Sequence, residues 1–430
     1  MHHPFHHSPC HWRSAYRFTL VSRWAALACG LALLTLTACE NDDTDFGDLI
    51  TNNHRDSNSE ATDTTVSPMN IELDTTALAA ETGEAIPTDE TDPYYNDYVE
   101  HAEFDRTVTI VYDGASATVG GDTSLIEYTV NGAHVTVRTE KARITFQVSG
   151  SSTDGSLKIY SESKFRLLLS GVTLTNPSGP AINNQCGKTA YVVLADSTEN
   201  SLTDGTNYTA IGGEDQKGAF FSEGQLVFSG KGSLSVYGHY RHAIASDDYV
   251  RFRPGINVYA KSVAGSGIKA NDGIFISGGV LNVEVTKDGA KGLNSEADIT
   301  VSGGRTTVIT SGATTVASAD TSSCAALKCD STFRQSGGIL RLKSTGEGGK
   351  GMNVHQQLVV TGGELCVVTL GEKQLSSPKG IKVDESATIS GGSVYAYSAN
   401  AAPLDAAGTL TVASGYTTYT DDPPLFQVVY

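Results

Sequence analysis

Residues 292–304 read GLNSEADITVSGG, and variants of this phrase recur between residues 218 and 390. Each copy has a small residue, an apolar residue, and then nine steps to a residue that opens a glycine-containing turn. The apolar residues, here named the anchors, are Phe220, Ile244, Ile268, Leu293, Leu327, Met352 and Ile381. The nine-residue interval never varies, whereas successive anchors lie 24 to 34 residues apart. A constant unit with insertions between units is typical of a repeat architecture.

Inside each unit, apolar residues alternate with polar or small ones, which is the signature of β-strands. Leu226 and Phe228 lie six and eight residues after their anchor, and Leu234 and Val236 follow the turn. Three short strands in about 25 residues match one coil of a parallel β-helix. Frequent glycine opposes α-helix, and a propeller blade needs roughly 40 to 50 residues. We therefore predict an all-β, single-stranded parallel β-helix of about ten coils, with the anchors buried.

Gly or Ala precedes every anchor. Identical positions of stacked coils lie about 4.8 Å apart, so we expect a side chain at this bend to collide with the coil above. Replacing Gly292 or Gly351 by valine should therefore impair folding.

The first 38 residues predict a lipoprotein signal peptide. Arg13, Arg17 and Arg23 precede an apolar run over 24–38 that is short for a membrane span. Residues 36–39 read LTAC and resemble a bacterial lipobox, which predicts that Cys39 is lipidated and begins the mature chain. The alternative is an ordinary signal peptide cut nearby.

Residues 39–103 predict an acidic, disordered tether, and residues 104–430 the β-helix. Positions 40–103 hold 18 acidic residues and one basic residue, Arg55, whereas 104–430 hold 30 acidic and 26 basic residues. Such an acidic stretch behaves as a solvated spacer and argues against nucleic acid as a partner. Acidic residues behind a lipidated cysteine resemble the export signal of surface lipoproteins, so we expect an outer-membrane, lipid-anchored protein facing outward.

Oxygen-bearing side chains recur three places after the anchors. They form the column Glu223, Asp247, Asn271, Glu296, Asp330 and Asp384, which only His355 interrupts. Stacked oxygens at a turn can bind calcium, a possible cofactor here. The candidate ligands are Asp247, Asp248, Asn271 and Asp272. The alternative is a ladder of turn residues that bond their own backbone without metal.

One region is rich in aromatic and basic residues that alternate with buried positions. Its candidate sugar contacts are Tyr237, Tyr240, Tyr249, Arg251, Arg253, Tyr259 and Phe275. Rings and forked guanidinium donors on a flat outward surface suit polysaccharide, including an acidic one. The alternative is ordinary strand decoration, since tyrosine is a favoured strand residue.

Three further stretches resemble the opening of the bacterial β-helical carbohydrate-binding domain family. They are residues 169–174 (LSGVTL), 179–182 (GPAI) and 200–205 (NSLTDG), and the later repeats are similar to that family's coils over roughly 105–415. The resemblance implies a right-handed parallel β-helix related in shape to pectate lyases, with calcium-binding capacity and affinity for plant-type polysaccharide. Coils of the family often read Asp-Asp-Gly-Ile, whereas residues 265–268 read GSGI.

We therefore expect a non-catalytic, polysaccharide-binding surface lipoprotein. One alternative is a structural or adhesin module that binds a protein partner. Another is a polysaccharide lyase, for which Arg251, Arg253 or Lys269 could serve as the base. Cys324 and Cys329 could form a local disulfide in an oxidising compartment.

Overall fold

The computed structural model describes residues 67–76, 78, 84–317, 320–413, 415–422 and 424–430. The predicted signal peptide, Cys39 and much of the predicted tether lie outside these residues. The described residues are almost entirely β-strand and connecting turns. Their three short 3₁₀ helices are Tyr95–Asp97, Val99–His101 and Thr123–Leu125. None of the helices in the described part of the chain is long and apolar enough to cross a membrane.

The strands follow one another in short segments. They are β1 (Arg106–Asp113), β2 (Ser116–Gly121), β3 (Glu127–Asn131), β4 (Ala133–Thr139), β5 (Ile144–Ser152), β6 (Gly155–Ser161), β7 (Phe165–Asn176), β8 (Ile182–Asn184), β9 (Ala190–Leu194), β10 (Glu199–Asp204), β11 (Gly218–Ser222), β12 (Leu226–Gly230), β13 (Ser233–Gly238), β14 (His242–Ser246), β15 (Tyr249–Phe252), β16 (Asn257–Ser262), β17 (Ile268–Ala270), β18 (Gly273–Ile276), β19 (Val280–Val285), β20 (Lys291–Ser295), β21 (Ile299–Val301), β22 (Arg305–Thr310), β23 (Thr315–Ala317), β24 (Asp320–Ser322), β25 (Ala325–Cys329), β26 (Phe333–Gln335), β27 (Ile339–Ser344), β28 (Lys350–Val354), β29 (Leu358–Thr369), β30 (Ile381–Val383), β31 (Ala387–Ser398), β32 (Leu404–Ala406), β33 (Leu410–Val412), β34 (Tyr416–Asp421) and β35 (Pro424–Val429).

Parallel pairing arranges these strands into three walls of a solenoid with about 11 coils, close to the ten predicted. Wall 1 contains β4, β6, β8, β11, β14, β17, β20, β25, β28, β30 and β32. Wall 2 contains β9, β12, β15, β18, β21, β26 and the first halves of β29 and β31. Wall 3 contains β10, β13, β16, β19, β22, β27 and the second halves of β29 and β31. The predicted parallel β-helix is confirmed.

The anchors stack directly on one another along wall 1. Phe220 pairs with Ile244, Ile268 with Leu293, and Met352 with its neighbours in the coils on either side. All seven anchors are 0% exposed, and the apolar pairs that flank each turn are buried as well. The constant nine-residue interval therefore reflects one fixed path from wall 1 to the end of wall 2, which each coil must repeat to stay in register.

The small residue before each anchor has a more specific role than predicted. A Cβ at Gly351 would lie 2.1 Å from Val367 Cγ1, across the core of its own coil, and 2.5 Å from the Gly380 carbonyl in the next coil. Gly292 faces the equivalent pair, Val308 and Ala326. A side chain at this position would thus collide both with the next coil and with the opposite wall.

Departures from the parallel pattern occur at the ends and at one insertion. The 34-residue gap between anchors holds an antiparallel hairpin, β23–β24. At the start of the solenoid β1 pairs with β2 and β3 with β4, and at the end β35 pairs with β31 and β34, all antiparallel. These hairpins cover terminal strands whose edges would otherwise be open to other chains.

The disulfide that Cys324 and Cys329 could form is not present in the structure, since both thiols are free and buried. Cys324 directly precedes β25 and Cys329 is its last residue, so the two lie about 16 Å apart at 3.3 Å per residue, far beyond the reach of a disulfide. Cys366 faces outward from wall 3 as expected, yet it is buried in a cluster with Ile71, Tyr397 and Leu425.

Candidate functional site

Residues 84–104, here named the strap, lie along the outer face of wall 2. The outward column of this wall runs through Tyr191, Val227, Arg251 and Phe275 on adjacent coils. Tyr191 is 0% and Val227 1% exposed, although both point away from the core of the solenoid. The strap therefore serves as an outer layer for part of this wall.

Arg251 is the centre of the contact between strap and solenoid. Its Nε donates a hydrogen bond to Asp97 at 2.7 Å, and the hydroxyl of Tyr249 donates to the same carboxylate. The guanidinium carbon lies 4.4 Å from the ring centroid of Tyr94 and 4.9 Å from that of Phe275. An arginine that is ion-paired along its edge and covered by rings on its faces is held in one orientation.

Arg253 lies two residues after Arg251 and makes a second set of contacts with the strap. It donates to Glu100 at 2.9 and 3.2 Å and to Glu84 at 3.1 Å, and its guanidinium lies 4.3 Å from the Tyr98 ring centroid. Burial raises the pKa of Glu100, but the hydrogen bond and charge of Arg253 outweigh it, so the pKa is lowered. Burial raises the pKa of Asp97, and its bonds to Tyr249 and Arg251 offset only part of this effect.

These contacts change the interpretation of four predicted sugar contacts. Tyr249, Arg251, Arg253 and Phe275 point outward from the coil as expected, but the strap covers them, and both arginines are about 95% buried. The strap also differs from the prediction, because residues 84–103 were assigned to a solvated tether. Three of their acidic side chains, those of Glu84, Asp97 and Glu100, instead pair with arginines more than 150 residues away.

Residues 67–76 cover a different part of the solenoid, the later coils of wall 3. Backbone groups of Asp74 exchange two hydrogen bonds with the amide of Asn282, and the Asp74 carboxylate pairs with Arg305 at 3.2 Å. Lys343 donates to the carbonyl of Ile71 at 3.2 Å. Among the described residues, the outward side chains of β13 and β16 in the earlier coils of wall 3 stay partly exposed, and this face is here named the window.

Two predicted sugar contacts, Tyr237 and Tyr259, lie in this window on β13 and β16. Their ring centroids are 5.9 Å apart at an interplanar angle of 72°. The hydroxyl of Tyr259 donates to Glu284 at 2.9 Å, and Lys261 pairs with the same carboxylate at 2.6 Å. Burial and the bond to Glu284 raise the pKa of Tyr259, which keeps this hydroxyl protonated. The two half-buried rings therefore form a rigid aromatic surface with polar groups at its edge.

Tyr240 lies just beyond the end of β13 and is 41% exposed. Its ring stacks on Tyr208 with centroids 4.3 Å apart, and the Tyr208 hydroxyl donates to Asp204 at 2.6 Å. Asp204 also accepts the backbone N–H groups of His239 and Tyr240. This network fixes Tyr240 as a second aromatic platform. Sequence reasoning missed Tyr208, because it lies in a loop outside the repeat and carries no periodic signal.

A groove of about 880 Å³ separates the strap from the turn that joins walls 2 and 3. Val99 and Glu100 of the strap form one side, and Ser233 and Asn257 lie at the starts of β13 and β16 on the other. Alternate residues of a strand share a face, so Ser233 and Tyr237 point to the same side of β13. The groove therefore opens directly onto the face that carries the two tyrosines.

The predicted calcium ligands do not converge on one point. Asp247 binds the ammonium group of Lys217, whereas Asp248 accepts bonds from Gln225 and the backbone of Tyr249. Asn271 directs its amide nitrogen toward Asp247 at 3.5 Å, and Asp272 is exposed. Asp247 instead converges with Asp215 and Glu223, whose oxygens all lie within 4.8 Å of one another.

Other members of the oxygen-bearing column form ion pairs with lysine or histidine. Asp330 pairs with Lys328 at 2.6 Å and with His355 at 3.0 Å, and Asp384 pairs with Lys382 at 3.0 Å. In these coils the carboxylates bond side-chain cations, which differs both from a calcium site and from a ladder of turn residues that bond their own backbone.

The family model of carbohydrate-binding domain-containing proteins matches residues 131–422. The chain belongs to this family. The match spans the solenoid from β4 to the C-terminal hairpin and does not include the strap. The resemblance inferred from the sequence is thus confirmed.

Among solved structures, the chain is similar to a polysaccharide lyase-like protein from C. thermocellum, determined as a gadolinium derivative. The two share 16% identity with a TM-score of 0.41, over 72% of this chain and 98% of that chain. No relative of this chain is found among curated proteins.

Proposed function

We propose that this carbohydrate-binding chain holds a polysaccharide across the open window of wall 3, with sugar rings against Tyr237, Tyr259 and Tyr240. The observation that carries the proposal is the accessible Tyr237–Tyr259 pair, which lies beside a groove lined by hydroxyl, amide and charged groups. Each aromatic contact contributes on the order of 1 kcal/mol, so binding is weak per sugar and increases with chain length.

The charges around the window favour a polysaccharide rich in hydroxyl groups over an acidic one. The arginines that could pair with sugar carboxylates, Arg251 and Arg253, are already paired with the strap. Lys261 and Glu284 form a balanced pair at 2.6 Å and offer both donors and acceptors to hydroxyl groups.

The proposal is one of binding without cleavage. The three bases named from the sequence are engaged in ion pairs: Arg251 and Arg253 lie beneath the strap, and Lys269 pairs with Glu296 at 2.6 Å. A lyase needs a free base beside the sugar carboxylate, and ion pairing of these cations opposes that role.

We further propose that the chain acts at the outer surface of the cell, anchored in the outer membrane through lipid on Cys39. The support is the sequence over 13–39, where basic residues, an apolar run and a lipobox-like tetrapeptide follow one another. These positions lie outside the described residues.

Affinity electrophoresis in gels containing neutral or acidic plant polysaccharides tests the binding proposal. Wild-type protein should be retarded in at least one neutral polysaccharide, and the double variant Tyr237→Ala/Tyr259→Ala should migrate freely. Tyr128→Ala removes an exposed tyrosine from β3, outside the window, and should leave retardation unchanged. Full retardation of the double variant would exclude the window, and free migration of wild type in every gel would refute the proposal.

A further inference from the structure

The ammonium group of Lys217, which precedes β11, lies within a group of three carboxylates at one corner of the solenoid, where Glu223 and Asp247 follow the ends of β11 and β14. Its Nζ lies 2.7 and 2.6 Å from the two oxygens of Asp247 and 2.7 Å from Asp215 Oδ2. Glu223 completes the group, since one oxygen from each carboxylate lies within 4.8 Å of the others. An ammonium ion with three short contacts to carboxylate oxygens is located where a bound cation would interact with the same oxygens.

The surrounding groups suit an ammonium ion better than a calcium ion. Calcium requires six to eight oxygen ligands, each offering a lone pair. At this corner Lys217 and the Asn271 amide both present N–H donors to Asp247. The residues as they stand therefore do not fit calcium, although the family resemblance implies a capacity to bind it.

The charge at this corner is nevertheless only partly neutralised. Burial raises the pKa of Glu223, and the negative charges of Asp247 and Asp215 raise it further. Burial lowers the pKa of Lys217, but its bonds to Asp215 and Asp247 outweigh that effect, so the pKa is raised. Without the ammonium group, three crowded carboxylates would remain, and a hard divalent cation prefers such ligands.

We propose that the ammonium group of Lys217 replaces a metal ion among Asp215, Glu223 and Asp247, so that this corner needs no calcium, and that removing it creates a calcium site. The proposal concerns the fold and is independent of where polysaccharide binds. In the wild-type protein the lysine ammonium neutralises the carboxylates, and a single substitution of Lys217 is predicted to produce metal binding.

The test compares thermal unfolding of wild type and Lys217→Met in EGTA and in millimolar calcium chloride, with terbium luminescence as a second measurement. Wild type should show the same Tm in both buffers. Lys217→Met should have a lower Tm in EGTA, regain several degrees in calcium, and increase the emission of directly excited terbium. Lys269→Met is the matched control, because its ammonium pairs with a single carboxylate, Glu296, and it should gain no response to calcium.

Two results would overturn the proposal. A calcium-dependent rise in the Tm of wild type that Asp247→Asn abolishes would show that metal displaces Lys217. A folded Lys217→Met that ignores both calcium and terbium would show that the carboxylates cannot hold a cation. Should Lys217→Met fail to fold, Lys217→Gln retains a polar side chain, and calcium titration calorimetry of wild type tests the first half directly.

Discussion

Replacing Arg251 by methionine tests whether the strap is held by its buried ion pair. Methionine keeps an apolar side chain between Tyr94 and Phe275 but leaves the Asp97 carboxylate, which is 2% exposed, without its cation. Removing one partner of a buried pair costs about 3–5 kcal/mol. The Tyr249 hydroxyl still donates to Asp97, so we expect a loss near the lower end, about 3 kcal/mol at pH 7.

The loss of folding stability in Arg251→Met should be smaller at acidic pH than at neutral pH. Burial raises the folded-state pKa of Asp97 above its ordinary value, and removal of Arg251 raises it further. A carboxyl group with a raised folded-state pKa costs stability above that pKa. The cost declines as the pH falls and disappears below the unfolded pKa of about 3.9. Arg251→Met should therefore be closer to wild type at pH 5 than at pH 7.

The assay is urea unfolding followed by far-UV circular dichroism, together with hydrogen exchange of the amides in the strap. Arg334→Met is the matched control, since Arg334 occupies the same outward column of wall 2. Its side chain is half exposed, and its ion pair with Asp298 is long, at 3.8 Å. It should change stability by less than about 0.5 kcal/mol. The double variant Arg251→Met/Asp97→Asn should recover at least about 1 kcal/mol of the single-variant loss.

Equal stability of Arg251→Met and Arg334→Met, with strap amides protected in both, would refute this reasoning. If Arg251→Met lost polysaccharide retention while its strap amides stayed protected from exchange, the sugar contact would lie on wall 2, as the sequence predicts.

Two further predictions concern the fold and the anchor. Gly351→Val should destabilise the solenoid by about 3 kcal/mol in urea unfolding, because the valine side chain meets both Val367 and the next coil. Gly187→Val is the control and should cost little stability, because the space around Gly187 is open. Equal losses in the two variants would contradict the packing argument. Cys39→Ser should abolish incorporation of labelled palmitate and detergent partitioning in cells; unchanged labelling would exclude lipidation at Cys39.

Much of the fold was predictable because each coil repeats the same local problem. An apolar residue every second position fills the interior, and the anchors, the paired residues around each turn and the parallel stacking all follow from that periodicity. The alternation along the strands also predicted correctly that Tyr249, Arg251 and Phe275 point out of the coil. The hairpin β23–β24 and the terminal hairpins carry no repeat signal, and only the structure revealed them.

The candidate site was predictable only in part. The alternation along a strand shows which side chains point away from the core, but it does not show whether another segment covers them. Tyr237 and Arg251 look alike in the sequence, since both occupy outward positions of strands whose apolar residues alternate in the same way. Arg251 meets Asp97, which lies 154 residues away, whereas the described strap leaves Tyr237 half exposed. The same limit applies to Asp247, whose partner Lys217 belongs to the preceding coil.

The sequence by itself thus determined the solenoid, its register and the side chains that leave its surface, because hydrophobic burial repeats with a fixed local period. Tertiary structure alone decided which of those side chains meet solvent. An acidic segment has the same composition whether it is solvated or paired with buried arginines. The difference depends on contacts between distant residues, such as Glu100 with Arg253, that no local pattern encodes.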